Sequence, residues 1–213
     1  TLILGSSDSG ASKPAVTLTA ADNYINNLES SNLSSLSLKN AQALSVNSNG
    51  IAATGAVNLT STSSITLNGN ITTSSATGNV LLKAAGNVGI ASSKSITTNG
   101  GSVTLWADSD GNGTGYAQML TNASVSTSGG EITLGGGLDI ATGYARGEAT
   151  RDTVTEPTYT LYISGVHLQS GVSLSSGGGD ITMRGQNAST TSGAMVFGVM
   201  GGGITVDAGA GKI

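Results

Sequence analysis

The run Asp108-Ser109-Asp110-Gly111-Asn112-Gly113-Thr114 sets acidic, amide and carbonyl donors at alternate positions. Aspartate stands first and third, asparagine fifth, glycine sixth and a carbonyl-donating threonine seventh, the donor order of the first half of a calcium-binding loop. Asp108, Asp110, Asn112 and Thr114 are therefore a candidate calcium set. The twelfth position is Met119 rather than the bidentate glutamate that completes such a loop, and Asp, Asn and Gly also build ordinary turns. A plain loop is the competing expectation, and no other cofactor is expected.

A second concentration of chemistry lies in residues 141–162. Tyr144, Arg146, Glu148, Arg151, Asp152, Tyr159 and Tyr162 fall there, in a chain whose charged residues are only 9% and whose aromatics are 3% of the total. Exposed Tyr and Arg bring large contact area and directional hydrogen bonds at modest entropic cost, so these seven residues are the candidate ligand-binding set. A tolerated surface excursion is the alternative.

Catalytic arrangements are thin by comparison. The chain has no Cys and one His, which removes thiolate chemistry, disulfides and His-rich metal centres. His167 alternates with Val166 and Leu168, so in a strand it faces away from them and is expected on a solvated face. No nucleophile is singled out for it, and no catalytic residue is assigned. Glu131 and Asp180 occupy equivalent positions in the repeat described below, an arrangement that could share a proton or a cation. Trp106 could stack on a sugar or pack at the base of the neighbouring loop.

These residues are carried on a repetitive frame. Ser, Thr, Asn and Gly make up about half of the 213 residues, and the net charge is -4. That balance gives no basic footprint for nucleic acid or anionic lipid, and no apolar run is long enough for a transmembrane helix. Apolar-x-apolar triplets recur at Val57, Val80, Val103, Ile132, Ile181 and Ile204, with glycine two residues before each at 55, 78, 101, 130, 179 and 202. The offsets are 23, 23, 29, 49 and 23. A second column joins Leu44 to Ile65/Leu67 and Val88/Ile90, and a third runs through Ile71, Ile96, Val125 and Val172. Helical repeats are excluded by Gly, Ser and Thr, which cost up to about 1 kcal/mol per residue relative to Ala in a helix.

Short strands at this interval predict an all-β fold: a right-handed parallel β-helix, or β-solenoid, with about 23 residues and three short strands per coil. About eight coils give a rod on the order of 40 Å long. The whole of residues 1–213 reads as one β-helix segment of a larger protein. Residues 1–32 form less regular coils, 106–122 a short loop insertion and 141–162 a long one. The glycine before each triplet is expected at a corner with positive φ.

The stretches Ser95 to Leu105, Val125 to Leu134 and Ser175 to Met183 resemble the filamentous-haemagglutinin-like exoproteins of bacterial two-partner secretion, and more loosely the glycine-rich β-strand-repeat surface proteins. The resemblance covers roughly residues 33–213. It implies a secreted or outer-membrane-attached cell-surface adhesin whose rod displays loops for attachment to host or environmental glycans or proteins; end-to-end self-association through terminal coils is the partner mode expected of the filament alternative. A structural filament or surface-layer stalk is the alternative function, and a polysaccharide-cleaving β-helix enzyme is a weaker one.

Overall fold

The computed structural model describes residues 1–5, 12–20, 23–147, 149–150, 162–187 and 195–213. Among them every regular element is a β-strand, and no helix is long and apolar enough to cross a membrane. The strands stack in three ladders. The first consists of β2 (Ala15–Leu18), β4 (Ser35–Asn40), β6 (Val57–Ser61), β9 (Val80–Ala84), β12 (Val103–Ala107), β15 (Ile132–Gly136) and β20 (Ile181–Met183). The second begins in the first half of β5 (Leu44–Ala53) and continues through β7 (Ile65–Leu67), β10 (Val88–Ile90), β13 (Ala117–Met119), β18 (Tyr162–Leu168) and β22 (Met195–Gly201). The third runs from β1 (Leu2–Gly5) through β3 (Asn27–Leu33) and the second half of β5 to β8 (Ile71–Thr73), β11 (Ser95–Thr97), β14 (Ser124–Ser126), β19 (Ser173–Ser175) and β23 (Thr205–Asp207). Because β3 and β5 span the corner between the second and third ladders, those two form one sheet.

All of these pairings are parallel. A small parallel pair, β16 (Ala145–Gly147) with β21 (Gly185–Asn187), lies beside them, and β17 (Ala149–Thr150) runs antiparallel to β18. The pairing register follows the sequence triplets: Val57, Val80, Val103, Ile132 and Ile181 are successive partners in the first ladder. Strand period two then sends their outer members inward and the middle residues outward. Leu59, Leu82 and Leu105 from the first ladder meet Ile65, Val88 and Met119 from the second and Ile71, Ile96 and Val125 from the third in one buried cluster. Burying each Leu or Ile contributes about 1.5–3 kcal/mol relative to leaving it in water.

Two expectations about register are corrected. Ile204-Thr205-Val206 does not extend the first ladder, because Val206 pairs with Leu174 of β19 in the third. Val125 likewise pairs with Leu174, not Val172. The position after Gly179 in the glycine column is taken instead by Gly211, which approaches the Gly179 backbone, while Ile181 N–H donates to Lys212 O over 2.7 Å. The corner chemistry also differs from expectation. Gly100, Gly129 and Gly178 adopt positive φ, whereas the glycines that follow them, 101, 130 and 179, are required for close approach.

Candidate functional site

The two interruptions of the repeat leave the ladders at neighbouring points. The first departs after β12 and returns at β13; the second departs after β15 and returns at β18. Since β12 pairs with β15 and β13 with β18, both excursions emerge from the same side, one above the other, and they meet. Gly115 bridges Arg146 in antiparallel fashion. A Cβ on Gly111 would overlap Leu138, and one on Gly147 would press on Tyr116. The described parts of two loops far apart in sequence thus meet on one flank.

Trp106 anchors it. Its indole N–H donates to Gly137 O over 2.7 Å, and the Lys83 ammonium sits 3.8 Å from the ring centroid. One face of the half-buried indole is therefore already covered by a cation, so packing at the loop base describes Trp106 better than an open sugar platform. Asp139 closes the next turn, accepting from the Ala141 amide and the Thr142 hydroxyl, each over 2.9 Å. Those two hydrogen bonds, the Ala141 amide first, hold its carboxyl below the ordinary carboxylate value, and Arg184 adds a smaller pull. Arg184 also donates to Ile140 O over 3.4 Å.

From this base Leu138 projects with 76% of its surface exposed and Tyr144 with 48%, and Arg146 is exposed between the buried Ala145 and Gly147. Of the seven candidate ligand-binding residues, the structure brings Tyr144 and Arg146 together on the flank. Tyr162 opens β18, its backbone paired with Met195. Glu148, Arg151, Asp152 and Tyr159 lie outside the described residues. Leu138, more exposed than Tyr144, is not among the sequence candidates; its signal in the sequence is a large apolar residue directly after Gly135-Gly136-Gly137.

The candidate calcium residues form the base of the same flank. Asp108 is fully buried with φ of 50°, held by Asp108 N–H donating to Gly86 O over 3.0 Å. Its Oδ1 accepts from Gly113 N–H over 2.9 Å, while its Oδ2 is buried without a hydrogen-bond partner. Asp110 accepts from the Asn112 side-chain amide over 2.8 Å, and Asn112 Oδ1 accepts from Thr114 N–H over 2.9 Å and from the Thr114 hydroxyl. Burial pushes the Asp108 carboxyl above its ordinary value; the Gly113 and Thr114 amides oppose this, as does Arg146, while the Asp110 charge reinforces it.

A raised folded-state value means that Asp108 contributes most to stability below its ordinary value of 3.8, and that this contribution is lost as pH rises through the folded value. The uncharged amide of Asp108→Asn would mimic the neutral acid at every pH. The melting temperature of the native chain minus that of Asp108→Asn, measured in chelator, is therefore expected to fall as pH rises from about 3 toward 7. A difference that rises over that range contradicts the assignment.

The remaining candidates stand apart. Glu131 and Asp180 are adjacent in register, as expected, on an exposed corner, where Ile132 N–H donates to Asp180 O over 2.9 Å. Asp180 Oδ1 accepts from Lys212 N–H over 2.8 Å. His167 corrects the expectation of a solvated face: it is only 2% exposed, with Nδ1 3.2 Å from Gln118 Nε2. The physical reason is a second layer, since β16 and β21 pack against β18 and the Gly165 backbone abuts Ala145 O and Gln186. Outward on one strand is here not outward to water.

No family model, no curated protein and no solved structure matches the chain significantly. The class defined by the fold is accordingly a protein of long parallel sheets, without helix among the described residues, bearing a composite flank.

Proposed function

We propose that the chain is a segment of a right-handed parallel β-helix with about 23 residues and three short strands per coil, serving as the rod of a secreted or cell-surface bacterial adhesin. The coil reading is supported by the three parallel ladders that the chain visits in turn. Its hand is supported by the near-universal right-handedness of parallel strand crossovers. At about 4.8 Å per strand, the first ladder alone makes a rod on the order of 30 Å. The observation that carries the adhesive function is the convergence of both interruptions on one flank, where Leu138, Tyr144 and Arg146 are displayed by an otherwise charge-poor rod. Adhesion by such a flank is multivalent: weak single contacts become firm when many copies engage a surface of glycans or proteins.

Binding of the intact chain to a glycan array and to host-type cells tests this, run beside Tyr144→Ala/Arg146→Ala and a version with residues 141–162 replaced by a short Gly-Ser turn. Far-ultraviolet circular dichroism confirms that the fold is kept in each. The double substitution is expected to weaken binding at least tenfold, the consequence of losing about 1.4 kcal/mol or more at a recognition hot spot. Binding that survives both changes would remove the flank from the account. An intact chain that binds nothing would favour a purely structural stalk.

A further inference from the structure

The Asp108 carboxylate has one oxygen satisfied by the Gly113 amide, and its Oδ2 is buried without a partner at hydrogen-bond geometry, the Thr114 amide acting on the carboxyl from nearby. A buried carboxylate oxygen without a partner is costly, more so than a hydroxyl such as Ser30 or Ser164 in the same position, and an ion or water is a common way to satisfy it. A proton on Oδ2 would not suffice, because it creates a buried O–H that itself needs an acceptor. The Arg146 guanidinium acts on this carboxyl only weakly, and its side chain is exposed on the flank.

We propose that residues 108–114 bind a calcium ion, with Asp108 Oδ2 as the buried ligand around which the site is built and Asp110, a carbonyl of the loop and Asn112 as its outer donors, Asn112 Oδ1 exchanging its hydrogen bonds from Thr114 for the ion. The donor set fits a hard cation: it is all oxygen, with no His or Cys, and its order along the chain is that of the opening half of a calcium loop. Among the described residues no group of three or more His, Cys, Asp or Glu side chains converges. The charge available is thus two carboxylates, which places the affinity in the weak range of extracellular modules, with Kd about 10⁻⁴ to 10⁻³ M. The consequence for the molecule is local. Asp108 lies at the root of the first excursion, whose Gly115 bridges Arg146 of the second, so a bound ion would fix the geometry of the flank whatever the flank contacts.

Trp106, the sole tryptophan, lies two residues from Asp108, so terbium entering this loop should be sensitised by it. The test uses the full chain freed of metal by chelation. Excitation of Trp106 is expected to yield terbium luminescence that calcium displaces with a midpoint of about 10⁻⁴ to 10⁻³ M and magnesium does not. Calcium at a hundredfold excess over Kd is expected to raise the melting temperature by roughly 5 °C or more. Asp108→Asn should abolish both effects, and Asp110→Asn should weaken the affinity at least tenfold. Absence of sensitised emission together with an unchanged melting temperature at about 10 mM calcium, ten times the weakest expected Kd, overturns the proposal. So does retention of both effects in Asp108→Asn. Should that variant fail to fold, Asp110→Asn and calorimetric titration of the native chain with calcium decide the question in the same way.

Discussion

Gly101→Ala is expected to destabilise the fold by on the order of 3 kcal/mol, the upper range of overpacking a filled site. A Cβ there would lie inside 3.0 Å of the Gly78 carbonyl group and the Asn79 nitrogen. Both are backbone atoms locked into the ladder by Val80 N–H donating to Ser102 O over 2.8 Å and Ser102 N–H donating to Asn79 Oδ1 over 2.8 Å. Nothing flexible can move aside, so either the strand spacing widens or the corner loses its hydrogen bonds. The same contact recurs where Gly130 sits on Gly101, Gly179 on Gly130 and Gly211 on Gly179. Gly89→Ala is the matched control. Gly89 is in the middle of β10, without positive φ, and a Cβ there would meet nothing within 4 Å. That change should be neutral or stabilise by about 0.4–1 kcal/mol, since it only reduces the freedom of the unfolded chain. Thermal melts of the two variants beside the native chain check this. Equal melting temperatures for Gly101→Ala and Gly89→Ala would show that the glycine column is not a packing requirement.

The glycine column also shows where the sequence was readable and where it was not. Glycine two residues before Val80, Val103, Ile132 and Ile181 is a signal of fixed spacing, and the ladder register follows it. Its cause was not readable, because close approach and positive φ both select glycine; only the stacked geometry separates Gly100, which has φ of 104°, from Gly101, which does not have positive φ. The sixth triplet misled because Gly202 and Ile204 satisfy the pattern locally, while pairing is decided by which strand edge is free. Leu174 of β19 offers that edge to Val206. His167 and the flank fail to show for a related reason. Period two assigns faces relative to a single sheet, and says nothing of a second layer such as β16 with β21. Asp108 and Arg146 are 38 residues apart in sequence; their proximity depends on both excursions leaving paired strands, which is information about topology rather than about either loop.

The second large effect is expected at Thr127, whose hydroxyl is buried where the third ladder turns toward the first. Its Oγ1 donates to Gly130 O, with Ser176 O at 3.1 Å sharing the same proton. One coil earlier Thr98 Oγ1 donates to Gly101 O, with Thr127 O at 3.2 Å, and one coil later Ser176 Oγ donates to Gly179 O, with Ala208 O at 3.3 Å. Each hydroxyl therefore ties its own corner glycine and reaches the next level. In the sequence this is a hydroxyl three residues before each corner glycine, at 98, 127 and 176, a signal hidden by the abundance of Ser and Thr elsewhere. Thr127→Val keeps the volume and the β-branch but leaves the Gly130 carbonyl without its buried donor, at a cost of about 1–3 kcal/mol. For a chain of this size that lowers the melting temperature by roughly 2–4 °C per kcal/mol. Thr104→Val, on the outward side of β12, makes the same chemical change without removing a buried donor and should stay within about 0.5 kcal/mol. Hydrogen exchange adds the local reading: the Gly129 amide, which donates to Ser176 O over 2.5 Å, should lose protection in Thr127→Val and keep it in Thr104→Val. Unchanged protection and an unchanged melting temperature in Thr127→Val would mean that the corner is held by backbone stacking alone, with the hydroxyl column contributing nothing to it.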